Sequence, residues 1–595
     1  MDRKRAFKLR FRRQLRMQRR QMEELSSNAE QRLENDFFKR LERLGAVRRF
    51  VTSWILLVIL LLGCVVVQSR GLSPYYQTLT PIPGGSYAEG IVGNFTNASP
   101  IYATSPVDSS VSKLLFAALL TRDRQDQLVG DLAQTWSVSP DGTIYTVKLR
   151  PHLTWQDGQP LTASDVLFTY QVIQSPDAGS PLFSSWQGVK VATPDPLTVT
   201  FTLPNPLASF PYSLTTGIIP RHILGGTAMA QMRSSSFNTT QPVGAGPFSW
   251  KALQLSGSSV DEQQVHIALK PFTNYHGGAP KLSEFVVRTF PDSKRLLASF
   301  RKQELNAAVG VSSVPADLQK DTGVRAYSLR LSAAVMTFFK TSQGALADAR
   351  VRQALVAGAD TSAIISSLSY PTEAVREPLL YGQLGYNPVY QQAPYNLAAA
   401  QAALDADGWV MGADHYRHKA GAKLGFQLSV QNSGDYPAVA RQLSQQWKAL
   451  GVNAQVLVAP DDATFQNEVA NHTYDAVLYG ISIGTDPDVF VYWDSSQANV
   501  LAPVRLNLSE YKSAKADASL EAGRTRLDPT LRAVKYAPFL QAWQADAPAL
   551  GLYQPRFLYL THGTVHGLDA TIINSDTDRF NNVQNWEVRE ARKTE

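Results

Sequence analysis

Cysteine is almost absent: Cys64 stands alone in 595 residues, so no disulfide can form within the chain. The fold must be held by burial and hydrogen bonding. Charge is sparse too, with Asp, Glu, Lys and Arg at 18% against 44% hydrophobic residues. That balance argues against a mainly disordered chain or a long coiled coil. There is no His-Glu-x-x-His, no Cys-x-x-Cys and no phosphate-loop Gly-Lys motif. Nothing therefore points to zinc proteolysis, thiol redox chemistry or ATP hydrolysis. No segment repeats at a period of about 20–50 residues, which excludes solenoids and propellers. What remains is a chain long enough for two or more large lobes.

The charge that exists is unevenly placed. Residues 1–49 hold 16 Lys and Arg against 7 Asp and Glu, leaving 41 basic and 43 acidic residues for the rest. The basic character belongs to the N-terminal arm. The arm leads into an uncharged run, Phe50 to Ser69, bounded by Arg49 and Arg70. About 20 apolar residues suffice to cross a bilayer, and positive flanks stay in the cytoplasm. The run predicts a transmembrane helix with residues 1–49 inside and the bulk outside. Leu61-Leu62-Gly63-Cys64 also fits a lipoprotein box. Against cleavage there, Val65-Val66-Val67 continue the apolar run, and the basic leader is far longer than a secretory one. In the arm, Leu33, Phe37, Leu41 and Leu44 fall near helical spacing among basic residues, a pattern suited to anionic lipid. Arg12, Arg13, Arg16, Arg19 and Arg20 admit nucleic-acid binding as the alternative, but charge beside an anchor is already explained.

Beyond residues 70–100, rich in Gly, Pro, Ser, Thr and Asn and read as a linker, strand and helix signals alternate. Helical apolar spacing appears between Ser105 and Thr121, and strands are expected at Leu197–Leu203, Val265–Leu269 and Glu284–Phe290. The clearest stretch runs from Leu128 to Gln174. Ser139-Pro140-Asp141-Gly142 forms a hairpin turn, since Asp-Gly supplies positive φ. Tyr145, Val147 and Leu149 then share one strand face. A second turn, Gln156-Asp157-Gly158, leads to Thr162 and Asp165, an acidic capping pair. Val166, Tyr170 and Ile173 give that helix a buried stripe. Asp141 and Asp157 are turn formers on this reading, not catalytic carboxylates.

The order of these elements carries more than any one of them. LAQTWSVSPDGTIYTVKLRPHLTWQDGQPLTASDVLFTY (Leu132 to Tyr170) resembles the signature region of the family 5 extracellular solute-binding proteins, the peptide-, nickel- and oligosaccharide-binding receptors of ABC importers. Pro242-Val243-Gly244-Ala245-Gly246-Pro247-Phe248 resembles the family's glycine-proline crossing loop, where glycine permits backbone angles closed to other residues. Asn274 to Gly278 with Val286-Val287-Arg288 resembles its next strand entry. Asp348 to Leu355, and Tyr395-Asn396 followed by Gly408-Trp409, resemble its later helices. Phe426–Val430, Val439–Leu450 and Val452–Val458 read as strand, amphipathic helix and strand. The likeness runs over roughly residues 100–565. It implies an α/β, large two-lobed periplasmic-binding-protein-like fold of class II, with an extra subdomain in lobe I, preceded by one transmembrane helix. The implied division is 1–49 arm, 50–69 membrane helix, 70–100 linker, 101–332 lobe I, 333–554 lobe II, and 555–595 return to lobe I and tail. Separate permease and ATPase chains would be the partners, a peptide or other small solute the ligand, and lipid the contact of residues 50–69. No nucleic acid, metal or cofactor is implied.

In the family's peptide-binding members, an aspartate shortly before an Asp-Pro holds the peptide's α-ammonium. Here Ile483-Gly484 stand in that neighbourhood, so the resemblance leaves Asp486 or Asp488 as the carboxylate. Asp486-Pro487 forming a turn is the plainer reading. Tyr102, Tyr492 and Trp493 are the aromatic candidates for the cleft, with a core role as their alternative. Gly480-Ile481-Ser482-Ile483-Gly484 matches the nucleophile-elbow pattern, with His562 and His566 downstream, which would make Ser482 a hydrolase nucleophile. An elbow needs a helix directly after the serine, and Asp486-Pro487 interrupts. Ser110-Val111-Ser112-Lys113 reads as a surface helix turn, and His415 to His418 as a polar loop.

Overall fold

The computed structural model describes residues 48–594, except 258–263, 371, 503–504 and 569–571, together with residues 17–20, 22, 26–27 and 30–31 of the arm. Leu33, Phe37, Leu41 and Leu44, and Arg12, Arg13 and Arg16, lie outside the described residues. The chain divides into two units, Met1–Thr80 with Glu590–Glu595, and Pro81–Arg589.

The first unit carries one helix, Arg48–Tyr76. Its segment Phe50–Gly71 is long and apolar enough to cross a membrane, and none of it is buried against protein. Cys64 is exposed on this helix.

The second unit is built on two mixed sheets. The eight-stranded sheet places Ser86–Val92 between Ala307–Val309 and Glu284–Phe290, parallel to both. This corrects the linker expected over 70–100. Tyr87, Glu89 and Ile91 all point to one buried face, and the acidic residue in the middle hides the alternation from a hydropathy reading. Arg579 ion-pairs with Glu89 at 2.5 Å with both side chains fully buried, and Tyr559 donates to the same carboxylate at 2.7 Å. The five-stranded sheet begins at Ala333–Phe339 and ends at Ala549–Tyr553, with Gly425–Val430, Asn453–Val458 and Ala476–Ser482 between them in sequence. Along Ala333–Phe339, Ala334, Met336 and Phe338 enter one apolar cluster and Val335 and Phe339 the other. A sheet covered on both faces reads as a continuous apolar run, as AAVMTFF does.

A smaller four-stranded sheet holds the Leu128–Gln174 stretch. Ala133–Val138 pairs with Ile144–Leu149, which pairs in turn with Thr198–Thr202. Asp141 accepts from Thr143 N–H at 3.1 Å in the hairpin turn, and Gly142 has φ of 76°. Asp165 Oδ2 accepts from the Thr162 N–H at 2.9 Å, and the helix Ala163–Ile173 begins there. Its Tyr170 ring lies 4.1 Å from that of Trp186. The helical spacing read from Ser105 to Thr121 resolves into a helix, Pro106–Leu115, and a strand, Leu120–Arg122.

Candidate ligand-binding cleft

Ligands of open α/β sheets bind outside the carboxyl ends of parallel strands. Both sheets have such ends, and the chain path turns them toward each other. The polypeptide passes from one sheet to the other at Leu331-Ser332-Ala333 and returns at Tyr553-Gln554-Pro555-Arg556. Ala333 pairs with Ser482, so the strand Ala476–Ser482 ends beside this crossing. On the other side Val309 pairs with Tyr559, so Ala307–Val309 also ends toward it. The loops that follow meet: a Cβ built on Gly434 would lie 4.0 Å from the Ser312 Cβ. The Ser332 carbonyl accepts from both Ile483 N–H, at 3.0 Å, and Gly484 N–H, at 2.9 Å. The loop after Ser482 is thereby tied to the crossing itself.

The two aspartates singled out in sequence lie in this loop, and both are already paired. Arg532 holds Asp486 through two hydrogen bonds of 2.8 and 2.7 Å. Asp488 accepts from Arg524 at 3.2 Å and from Ser209 at 2.9 Å. Their carboxylates organise the loop against the helices Ala514–Arg524 and Pro529–Asp546. Between them in space sits Thr485, whose hydroxyl bonds Arg122, Asp126 and Asn574 of the opposite sheet's lobe. The aromatic candidates are packing residues. Trp493 is fully buried, stacked on Phe338 and edge-on to Trp543, so it does not line the cleft. The Tyr492 hydroxyl donates to the Ser482 carbonyl at 2.6 Å, fixing the strand end. Tyr102 is buried far along the chain, donating to the Ala178 carbonyl at 2.9 Å.

A group that sequence reasoning missed gathers on the cleft face of the five-stranded sheet. The loop Gln431–Asp435 follows the parallel strand Gly425–Val430. Asp435 then stands at the N-terminus of the helix Tyr436–Ala449, and its side chain caps no backbone N–H. Around it lie Tyr370, Tyr436 and Tyr553. Burial, and then the Asp435 carboxylate beside it, push the Tyr370 phenol above its ordinary range. Burial, then Tyr370, Tyr436 and Asp435, do the same to Tyr553. Tyr436 is pushed up to about 12 by burial, then by Tyr479 and Asp435. The Tyr436 hydroxyl lies 2.6 Å from where a Cβ on Gly480 would stand, so the strand Ala476–Ser482 carries glycine where this phenol crosses it. The buried Tyr553 hydroxyl lies against the Tyr370 phenol. Nothing local could have revealed the group, because its members come from three separate segments.

The remaining motifs dissolve into structure. Ser482 ends its strand, and the next helix opens only at Phe490, so there is no elbow. His562 Nε2 donates to the Phe300 carbonyl, 2.7 Å away, with its ring stacked on Phe300. Ser110 is buried rather than on a surface turn, accepting from Arg579 at 3.0 Å. His418 pairs with Asp414 while Arg417 is buried beneath it. No group of three or more metal-ligating side chains occurs among the described residues.

Two sheet-based lobes, joined by two chain crossings with loop ends opposed across a cleft, define a two-lobed binding protein of the periplasmic type. Residues 127–501 match the family described as bacterial extracellular solute-binding proteins, family 5 Middle. The chain belongs to that family. It is 26% identical over 514 residues to the oligopeptide-binding protein AppA of Bacillus subtilis, covering 84% of this chain and 91% of AppA. Its fold is similar to that of the substrate-binding protein CtaP of Listeria monocytogenes, with a TM-score of 0.73, 23% identity, and coverage of 85% and 99%. It is also similar to that of NikZ from Campylobacter jejuni bound to Ni(L-His), with a TM-score of 0.71, 22% identity, and coverage of 84% and 99%. The two structures, under 25% identical to this chain, speak for the fold alone.

Proposed function

We propose that this protein is a membrane-anchored extracytoplasmic receptor that captures an oligopeptide between its lobes and presents it to separate ABC permease and ATPase chains. The lobes divide the chain at residues 333 and 555, and closure is a hinge motion at the two crossings. The observation that carries the reading is the opposed cleft on a family 5 chain whose AppA relative is an oligopeptide-binding protein over 91% of its length. Such a clamp needs no chemistry: the closed state has only to bind ligand better than the open one. Phe50–Gly71 supplies the anchor, contacts lipid, and leaves the basic arm in the cytoplasm.

The test is a thermal-shift comparison on the full chain in detergent, with tetraalanine, maltotriose and nickel–histidine as probes. A ligand that binds only the folded clamp stabilises it by about 2.7 kcal/mol at one hundred times its Kd. A midpoint raised by the peptide alone supports the reading. A midpoint raised by the sugar or the nickel complex, and not by peptide, contradicts it.

A further inference from the structure

The apolar segment Phe50–Gly71 belongs to a helix that runs on to Tyr76, and the strand Gln77–Ile82 begins at the next residue. Its partner in a two-stranded ribbon is the strand Arg589–Thr594. The Thr80 hydroxyl donates to the Ala591 carbonyl at 3.4 Å. A Cβ built on Gly85 would lie 3.1 Å from Arg589 Cγ and 3.2 Å from a Val588 methyl. Residue numbers fall in one strand as they rise in the other, so the pair is antiparallel. The far end of Arg589–Thr594 therefore lies beside Gln77, where the helix stops. Glu590–Glu595 accordingly group with Met1–Thr80 in one compact unit.

Depth decides what this strand can meet. Residues 72–76 continue the helix past the apolar segment, adding about 7.5 Å at about 1.5 Å per residue. A bilayer about 40–45 Å thick with a core of about 30 Å leaves a headgroup layer of about 5–7.5 Å on each side. With Phe50–Gly71 in the membrane, the ribbon starts where headgroups meet water. The strand carries Arg589, Arg592 and Lys593 against Glu590. Arg592 is exposed and forms no ion pair among the described residues. A basic strand in open water would be an ordinary solvated face. This one is held by strand pairing next to the headgroup layer, where guanidinium forks match phosphate oxygens.

We infer that Arg589–Thr594 is a second membrane contact, held by Gln77–Ile82 at the outer headgroup layer, where its cations take the phosphates of anionic phospholipid. The inference rests on the anchor proposed above and adds a partner for the strand most distant from it in sequence. The helix sets the depth, the strand pairing sets the place, and the basic side chains choose lipid of negative charge.

The experiment places a nitroxide label at Thr594→Cys in a Cys64→Ser full chain, held in nanodiscs of phosphatidylcholine alone or with about 30% phosphatidylglycerol. The ratio of immobilised to mobile label is read from the resonance spectrum. Each basic residue near an anionic surface is worth about 5-fold in such an equilibrium, so the anionic lipid is expected to raise the ratio about 10-fold or more. Half-molar salt should return it toward the neutral-lipid value by screening. Arg592→Gln is expected to cut the rise about 5-fold, Arg592→Lys to keep it, and Arg592→Gln with Lys593→Gln to remove most of it. A ratio blind to lipid charge, or a rise that survives the double variant, overturns the inference. The same rise produced by millimolar inorganic phosphate in neutral nanodiscs would assign the site to a free anion and overturn it too. Alkaline carbonate washing of vesicles that carry the full chain tests the anchor separately. Release sinks the anchor reading and the inference with it, while retention of a chain whose label ignores lipid charge sinks the inference alone.

Discussion

Arg532 and Asp486 are nearly buried and joined by two hydrogen bonds. Removing one member of such a pair strands the other charge. Arg532→Met is therefore expected to lower stability by about 3–5 kcal/mol, read as the urea midpoint, with Asp486→Asn less harmful because its amide oxygen still accepts one guanidinium N–H. Glu377 carries a different consequence. It is fully buried, accepts only the Asn387 N–H, and burial pushes its carboxyl up to about 8 from 4.5. The native state thus holds a proton that the unfolded chain releases. Between about pH 4.5 and 8 the unfolded state binds fewer protons, so stability falls as pH rises and levels off above the folded pKa. Glu377→Gln removes that slope. The variant should match wild type near pH 4 and exceed it near pH 8.5 by a few kcal/mol, on the order set by about 1.4 kcal/mol per unit. Equal urea midpoints at pH 8.5 would refute the assignment.

At the scale of elements, sequence and structure agree where the information is local. The Asp141-Gly142 turn, the Thr162–Asp165 cap and the Asp348 and Asn396 helix starts are set by residues a few positions apart, and each was legible. The glycine-proline loop was legible in place but not in cause. Its glycines are not there for unusual φ: a Cβ on Gly244 would come within 1.9 Å of the Leu115 carbonyl oxygen. Close approach of a distant segment decides, and no local pattern reports it. Gly244→Ala is accordingly expected to cost about 2–4 kcal/mol by forcing backbone apart, visible as a lowered melting point. Ser86–Val92 was missed for a related reason, since its buried Glu89 makes sense only once Arg579 arrives from the far end of the chain. The cleft group was illegible throughout: Tyr370, Asp435 and Tyr553 become neighbours only when the five-stranded sheet forms. Asp486 and Asp488 looked available because their arginine partners lie on helices later in sequence.

For the whole molecule, the fold follows from the sequence order, while the closure proposed above draws on contacts between lobes. Thr485 reaches Arg122, Asp126 and Asn574 across the cleft, and Asp488 reaches Ser209. Thr485→Val keeps the volume and removes the hydroxyl. It should shift the population toward the open form and weaken peptide affinity several-fold, as the loss of interactions made only on closure requires. The anchor has its own consequence: deleting residues 1–45 should leave peptide uptake intact, and uptake lost with the arm would contradict the importer reading. The most direct test of the central claim is single-molecule energy transfer between dyes at Lys190→Cys and Lys448→Cys, in a Cys64→Ser full chain held in nanodiscs. With tetraalanine at saturation, the account predicts a population shift to higher transfer as the lobes close, reversed on washing. Saturating peptide that leaves the transfer distribution unchanged would contradict it.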